Sequence, residues 1–231
     1  MLTPKRAVGC KNMTLSILKK PYIPSYEIGF NLLFDKLEVI KGDITQMKVD
    51  AIVNSAHPTL LAGSGVCGAI HRAAGKELEK ECLGLLDDNP YPHQVPLTTG
   101  HNLQAQYVLH TIVPRAQIRG TLSPDEKKAL IECYKKTIYT ANRCGLKTIA
   151  FPSLGTGIRG YPLQESAELA VKAIIDYLDE YVFEAFNKIY MVTHSDEDYF
   201  AYQTAYQKYV VEVHSIQSRL ESGEEDGKMN N

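Results

Sequence analysis

Gly63-Ser64-Gly65-Val66-Cys67-Gly68 runs directly into Ala69-Ile70-His71-Arg72-Ala73-Ala74-Gly75, a segment at helical spacing. The first six residues match G-x-G-x-x-G, the fingerprint of dinucleotide-binding folds. Their surroundings argue against that reading. The fingerprint follows its strand at once, whereas the apolar run Ala51–Asn54 ends nine positions earlier. An acidic residue is expected at the end of a second strand about 20 residues on, but Asp87 and Asp88 adjoin a stretch rich in Pro and Gly. An NAD-dependent oxidoreductase is therefore a remote alternative. The physics of the loop survives the failed motif. Glycines admit close approach of backbone to an anion, and a helix N-terminus offers unpaired N–H groups and a partial positive charge.

A second loop of this kind, Gly155-Thr156-Gly157-Ile158-Arg159-Gly160-Tyr161-Pro162, follows the run Thr148–Phe151 and precedes another helical pattern. Two such loops at the carboxyl ends of strands face each other across a crevice, and a pair of amide-lined loops suits a diphosphate. Leu37–Lys41, Ala51–Asn54, Tyr107–Val113, Thr148–Phe151 and Ile189–Thr193 are β-branched or aromatic runs that read as strands. Between them, Val66–Cys82, Pro124–Cys144 and Leu163–Tyr181 read as helices. The second carries a capping signature, Ser123 followed by Pro124 and Glu126, and stops at Gly145. Residues 83–106 hold several Pro and Gly and read as a long loop. Strands alternating with helices predict an α/β domain with helices on both faces of a mixed, mostly parallel sheet.

Composition bounds the function. The chain has 231 residues with 25 Lys+Arg against 27 Asp+Glu, a net charge of −2. A protein built to neutralise a nucleic-acid backbone would show a basic excess, so no nucleic-acid partner is expected. Five cysteines, at 10, 67, 82, 133 and 144, form no C-x-x-C pair; this disfavours a disulfide framework or a zinc ribbon, and no metal is expected. Apolar runs are too short for a signal peptide or a membrane span. These features together predict a soluble cytoplasmic or nuclear protein.

Several collinear motifs resemble those of macrodomains: Gly42-Asp43-Ile44-Thr45, then Val49–Asn54, the first glycine loop with Gly68–Gly75, then Thr98–Pro114, Ile149–Pro152 and Gly155–Pro162. The Ile70–Gly75 segment is closest to the MacroD-type branch. The resemblance implies a three-layer α/β/α sandwich over residues 37–210, flanked by an N-terminal extension (1–36) packing on it and a C-terminal part (211–231) that ends the last helix and continues as a disordered polar tail. It implies ADP-ribose as ligand or product, mono-ADP-ribosylated proteins as partners and no cofactor. Carried over by position, Asp43 as a buried carboxylate accepts from the adenine amine and the Ile44 amide donates to the ring. Gly63, Ser64, Gly65, Val66 and Cys67, with Gly155, Thr156, Gly157 and Ile158, bind the diphosphate. Asn54 also falls at the site. Arg159 stands where relatives often place an aromatic over the distal ribose, and either clamps a phosphate or is a solvated charge. His194 or Tyr199 forms the adenine wall.

Two departures bear on activity. MacroD-type hydrolases carry N-A-A-N after the second strand and G-V-D-G in the first loop; here the equivalents are Asn54-Ser55-Ala56-His57 and Gly65-Val66-Cys67-Gly68. Cys in the Asp position resembles some viral macrodomains that still hydrolyse. Three residues are candidate catalytic groups: His57, Cys67 and His71. An imidazole at position 57 suits a general base at neutral pH, but it equally suits a hydrogen-bond partner for ribose hydroxyls, or it blocks the productive pose. Cys67 is either a thiolate, favoured by a helix N-terminus but opposed by a bound diphosphate, or a small wall residue. His71, one turn after Cys67, supports that position or is structural. The resemblance leaves two functions open: a hydrolase of Asp/Glu-linked mono-ADP-ribose with an atypical His/Cys site, and a non-catalytic ADP-ribose reader.

Tyr199, Tyr202, Tyr206, Tyr209, Val213, Ile216 and Leu220 repeat at alternating intervals of 3 and 4. This seam predicts a C-terminal helix that packs on its own domain, against the N-terminal extension, leaving a monomer, or joins a second copy as a homodimer.

Overall fold

The computed structural model describes residues 33–87, 95–182 and 185–222. Most of the N-terminal extension and the polar tail from Gly223 lie outside the described residues. Six strands appear: β1 (Leu37–Lys41), β2 (Ala51–Ser55), β3 (Leu97–Thr99), β4 (Tyr107–Thr111), β5 (Thr148–Pro152) and β6 (Lys188–Thr193). Five helices accompany them: α1 (Gly65–Ala74), α2 (Lys76–Asp87), α3 (Pro124–Arg143), α4 (Leu163–Tyr177) and α5 (Asp196–Ser222). No helix among the described residues is long and apolar enough to cross a membrane.

The sheet order is β1-β6-β5-β2-β4-β3. All neighbouring pairs are parallel except β3 with β4, so the sheet is mixed and mostly parallel. Strands buried on both faces read as continuous apolar runs, which is why β2, β4, β5 and β6 were legible. Successive residues send side chains to opposite faces. Ala51, Val53, Ile149, Phe151, Ile189 and Met191 join one apolar cluster with Leu130, Tyr134 and Ile138 of α3, Val171 and Ile174 of α4 and Tyr202 of α5. Ile52, Val108, Ala150 and Val192 join the other with Ile70 and Ala74 of α1 and Leu78 and Cys82 of α2. Two cores separated by one sheet make the three-layer α/β/α sandwich.

The structure corrects several expected boundaries. The helix expected over Val66–Cys82 is two helices broken at Gly75, whose φ is +86° and whose N–H closes α1 on the His71 carbonyl at 3.0 Å. The stretch expected to be a loop contains the end of α2 and β3, a three-residue strand too short to leave a period-2 signal. Helix α4 ends at Tyr177 and continues as a single π-turn, Leu178–Val182. The capping box of α3 forms as expected: Ser123 Oγ accepts from the Glu126 N–H at 3.3 Å, and a Glu126 carboxylate oxygen accepts from the Ser123 N–H at 2.7 Å.

Candidate functional site

The chain leaves β2 for α1 on one face of the sheet and leaves β5 for α4 on the other, although β2 and β5 are neighbours. Their loops diverge and open a crevice at the carboxyl ends of the strands, the position where open α/β sheets bind ligands. A cavity of about 650 Å³ fills it, inside the ~300–1,000 Å³ range of small-ligand sites. It is lined by residues following β1 (Gly42, Asp43, Ile44), β2 (Ala56, His57), β5 (Ser153, Gly155–Arg159) and β6 (His194), and by the start of α1. From β1 to β2 are three strand spacings, about 14 Å. An elongated ligand laid across the strand ends therefore has an acidic end, with Asp43 and Asp198, and a basic end, with Arg159; Arg72 stands against the start of α1, its Nη1 3.1 Å from where a Cβ of Gly68 would be.

The middle is made of backbone. Ser64 begins α1 without a side-chain cap, leaving the first N–H groups of the helix available. Gly68 sits so close to the loop that a Cβ there would stand 2.3 Å from the Gly63 carbonyl oxygen; only glycine lets the helix start where it does. Across the crevice, Gly155 adopts φ +85° with Tyr161 against it, and the Tyr161 N–H returns to the Gly155 carbonyl at 3.1 Å. This turn leaves the 156–158 backbone facing the first loop.

Arg159 is neither a free solvated charge nor only a potential phosphate clamp. Its Nη2 donates to the Ala56 carbonyl at 3.2 Å, bridging the segments after β5 and β2. His57 is exposed, and its Nδ1 accepts from the Thr59 N–H at 3.3 Å and lies 2.7 Å from Thr59 Oγ1. A ring nitrogen that accepts a backbone N–H carries no proton, so the imidazole proton sits on Nε2. His57 lines the cavity, and with its basic nitrogen engaged by Thr59 the ring suits a hydrogen-bond donor to a ribose better than a base. Cys67 is buried at the cavity floor. Its Sγ donates to the Leu61 carbonyl and accepts from Asn54 Nδ2, both at 3.7 Å, so it is packed into the wall.

Asn54 and His71 stand behind the cavity rather than on it, and direct ligand contact does not follow from their placement. Asn54 is fully buried, and its Nδ2 lies 3.2 Å from His110 Nδ1. His110 Nε2 lies 2.9 Å from Thr98 Oγ1. Burial, aided by nearby His71, pushes the His110 imidazole down to about 3. Burial also lowers His71, against an opposing pull from Glu79, so both rings are neutral at physiological pH.

Asp43 is exposed at the rim, not buried as expected. One of its oxygens is engaged by the Thr45 N–H at 2.9 Å and the Thr45 hydroxyl at 2.8 Å, which leaves the second for a ligand. Tyr199 turns away from the cavity to Gln203, whose Nε2 donates to its hydroxyl at 3.1 Å; His194 lines the cavity instead. Asp198, Arg72, Ser153 and Val192 line it unannounced. Asp198 had a readable signal. Ser195-Asp196-Glu197-Asp198 has the form of a capping box, and Ser195 Oγ accepts from the Asp198 N–H at 3.0 Å while its hydroxyl donates to the carboxylate at 2.8 Å.

The Macro domain family model matches residues 53–170, half of the chain. The chain belongs to the Macro domain family. It is 43% identical over 150 residues to a Xenopus laevis relative named ADP-ribose glycohydrolase MACROD2; the match covers 64% of this chain but only 34% of that relative. Among solved structures, the Oceanobacillus iheyensis macrodomain with ADP superposes with a TM-score of 0.68 at 35% identity, over 76% of this chain and 92% of that one. The Trypanosoma brucei macrodomain in complex with ADP-ribose gives 0.66 at 31% identity, over 75% and 70%.

Proposed function

We propose that this chain binds ADP-ribose across the strand ends and releases it from mono-ADP-ribosylated proteins, acting on Asp/Glu-linked groups. The observation that carries the reading is the order of chemistry along the cavity: Asp43 at one end, two facing amide loops in the middle, and His57 beneath the Arg159 bridge at the other. An anionic acceptor such as Asp43 selects an amine, which fits the purine. The loops fit a diphosphate. The donor at His57 Nε2 fits the distal ribose, whose anomeric carbon bears the ester.

Asp43 and Asp198 are the carboxylates lining the cavity, and both are at the purine end. His57 has its basic nitrogen engaged by Thr59. In the proposed reaction, the protein's contribution is therefore positioning and charge stabilisation, with the ligand's own diphosphate holding the attacking water. A second reading, a reader without turnover, is favoured by Cys67, which is committed to the Leu61 carbonyl and offers no group to orient a water.

The test is ADP-ribose release from a protein modified on glutamate, measured for the wild type, His57→Ala and Cys67→Ala beside calorimetry with ADP-ribose. Binding with release supports the hydrolase. Micromolar binding without release above background supports the reader. No binding, with Asp43→Ala indistinguishable from wild type, overturns both.

A further inference from the structure

Three arginines gather around the loop after β5. Arg159 lines the cavity. Arg115 donates from Nη2 to the Ile158 carbonyl at 3.4 Å. Arg119 packs on the same loop, its Cγ 2.9 Å from where a Cβ of Gly160 would stand. The two segments are laced together by backbone bonds, Ala116 N–H to the Arg159 carbonyl at 2.8 Å and Gly120 N–H to the Gly160 carbonyl at 3.2 Å. Arg115 and Arg119 therefore flank the cavity mouth without forming its wall.

Lys41, Lys127, Lys188 and Lys208 each meet a carboxylate. None of Arg115, Arg119 and Arg159 does so among the described residues. The neighbouring carboxylate, Glu126, is already engaged by the Gln117 N–H at 2.6 Å and by Ser123. On a chain whose net charge is −2, these arginines concentrate positive charge beside the cavity mouth. Two isoleucines on the same segments stand in solvent, Ile118 at 70% and Ile158 at 57% exposure. Unpaired cations beside exposed apolar side chains complement an acidic polypeptide. A purely polyphosphate partner would leave the isoleucines without a use.

We propose that this face holds the acceptor polypeptide. Acidic side chains flanking the modified carboxylate meet Arg115 and Arg119, and an adjoining apolar residue covers Ile118 and Ile158. The inference rests on the reading that the cavity takes protein-linked ADP-ribose, and it adds the class of acceptor: segments rich in Asp and Glu.

The test uses the full chain and two peptides, each carrying one ADP-ribose on a single side chain through a non-hydrolysable linkage. One has Asp/Glu flanks and the other Ser/Gly flanks; free ADP-ribose is the reference. The expected result is about fivefold tighter binding of the acidic peptide, the size of two exposed ion pairs, shrinking as salt is raised. R115Q/R119Q loses that preference while binding free ADP-ribose as the wild type does, and R115K/R119K keeps most of it. Equal affinity for the two peptides, with free ADP-ribose bound normally, overturns this inference alone. Absence of free ADP-ribose binding overturns the functional reading and this inference with it. Tighter binding of a two-unit ADP-ribose chain than of the acidic peptide assigns the face to polymer and overturns it as well.

Discussion

His57 shows how a neighbour two residues away sets chemistry. With Nδ1 accepting from Thr59, the neutral ring is a donor at Nε2, and nitrogen-detected NMR of the free protein should find the Nε2–H tautomer. Removing that donor with His57→Ala should weaken ribose positioning by one hydrogen bond, about 1 kcal/mol or some fivefold in kcat/KM, with ADP-ribose affinity less affected because loops and Asp43 hold the rest. The buried pair behind the wall makes a different prediction. His110 accepts from Asn54 as a neutral base, and its folded pKa of about 3 lies below its unfolded value of about 6.5. Between those values the unfolded chain binds the proton and the folded chain does not. Stability should therefore be full above about pH 7 and fall as pH drops through 6.5, with a slope approaching about 1.4 kcal/mol per pH unit for this proton, and more where His71 adds to it. Urea unfolding at pH 7.5, 6.0 and 5.0 measures the slope, and His110→Gln should flatten it. Sequence reading found His57 and Cys67 because they interrupt familiar patterns. It passed over His110 because a histidine inside an apolar strand leaves no spacing signal, and it placed Asn54 on the ligand because the direction of one amide is decided by a tertiary contact.

At the scale of elements, the site depends on where α1 starts. A methyl group at Gly68 would meet the Gly63 carbonyl oxygen at 2.3 Å. That oxygen is backbone, so the loop must shift. Gly68→Ala should thus cost about 2 kcal/mol of stability, on the scale of strained backbone, and lower ADP-ribose affinity at least tenfold; a variant that melts and binds as wild type does would disprove the close approach as the reason for glycine here. Helix α3 offers a control remote from the cavity. Ser123→Ala removes the cap and should cost about 1 kcal/mol without changing ligand affinity, as a melting curve and a titration would show. Both glycine loops were readable because the residues that permit unusual backbone are few. The break at Gly75 was not, because α1 and α2 share one apolar face, Ile70, Ala74, Leu78 and Cys82 all joining the same core, and the periodicity runs across the interruption.

Across the whole molecule, the sheet separates two cores, and the larger one reaches out to the start of the described chain. Phe34 is buried against Tyr206 and Tyr209 of α5, with ring centroids 6.1 and 6.4 Å apart, and the Tyr206 hydroxyl donates to the Phe34 carbonyl at 3.1 Å. Phe34→Ala should cost about 3 kcal/mol, read as a lower midpoint in denaturant, with the cavity residues untouched. The tyrosine seam was legible as spacing, and the N-terminal extension as one expected partner, but Phe34 as the residue that meets it was not, since nothing local joins position 34 to position 206. The same long reach governs β1. Among the described residues it lies at the sheet edge and its one strand neighbour is β6, with Leu37 opposite Ile189. Asp43 and Ile44, which follow β1, are thus fixed by a strand that emerges from the ribosome about 150 residues later, some 10–30 s at ordinary elongation rates. The Asp43 end of the cavity is synthesised early but set in place late, and a nascent chain halted before β6 would carry both glycine loops yet have no completed pocket.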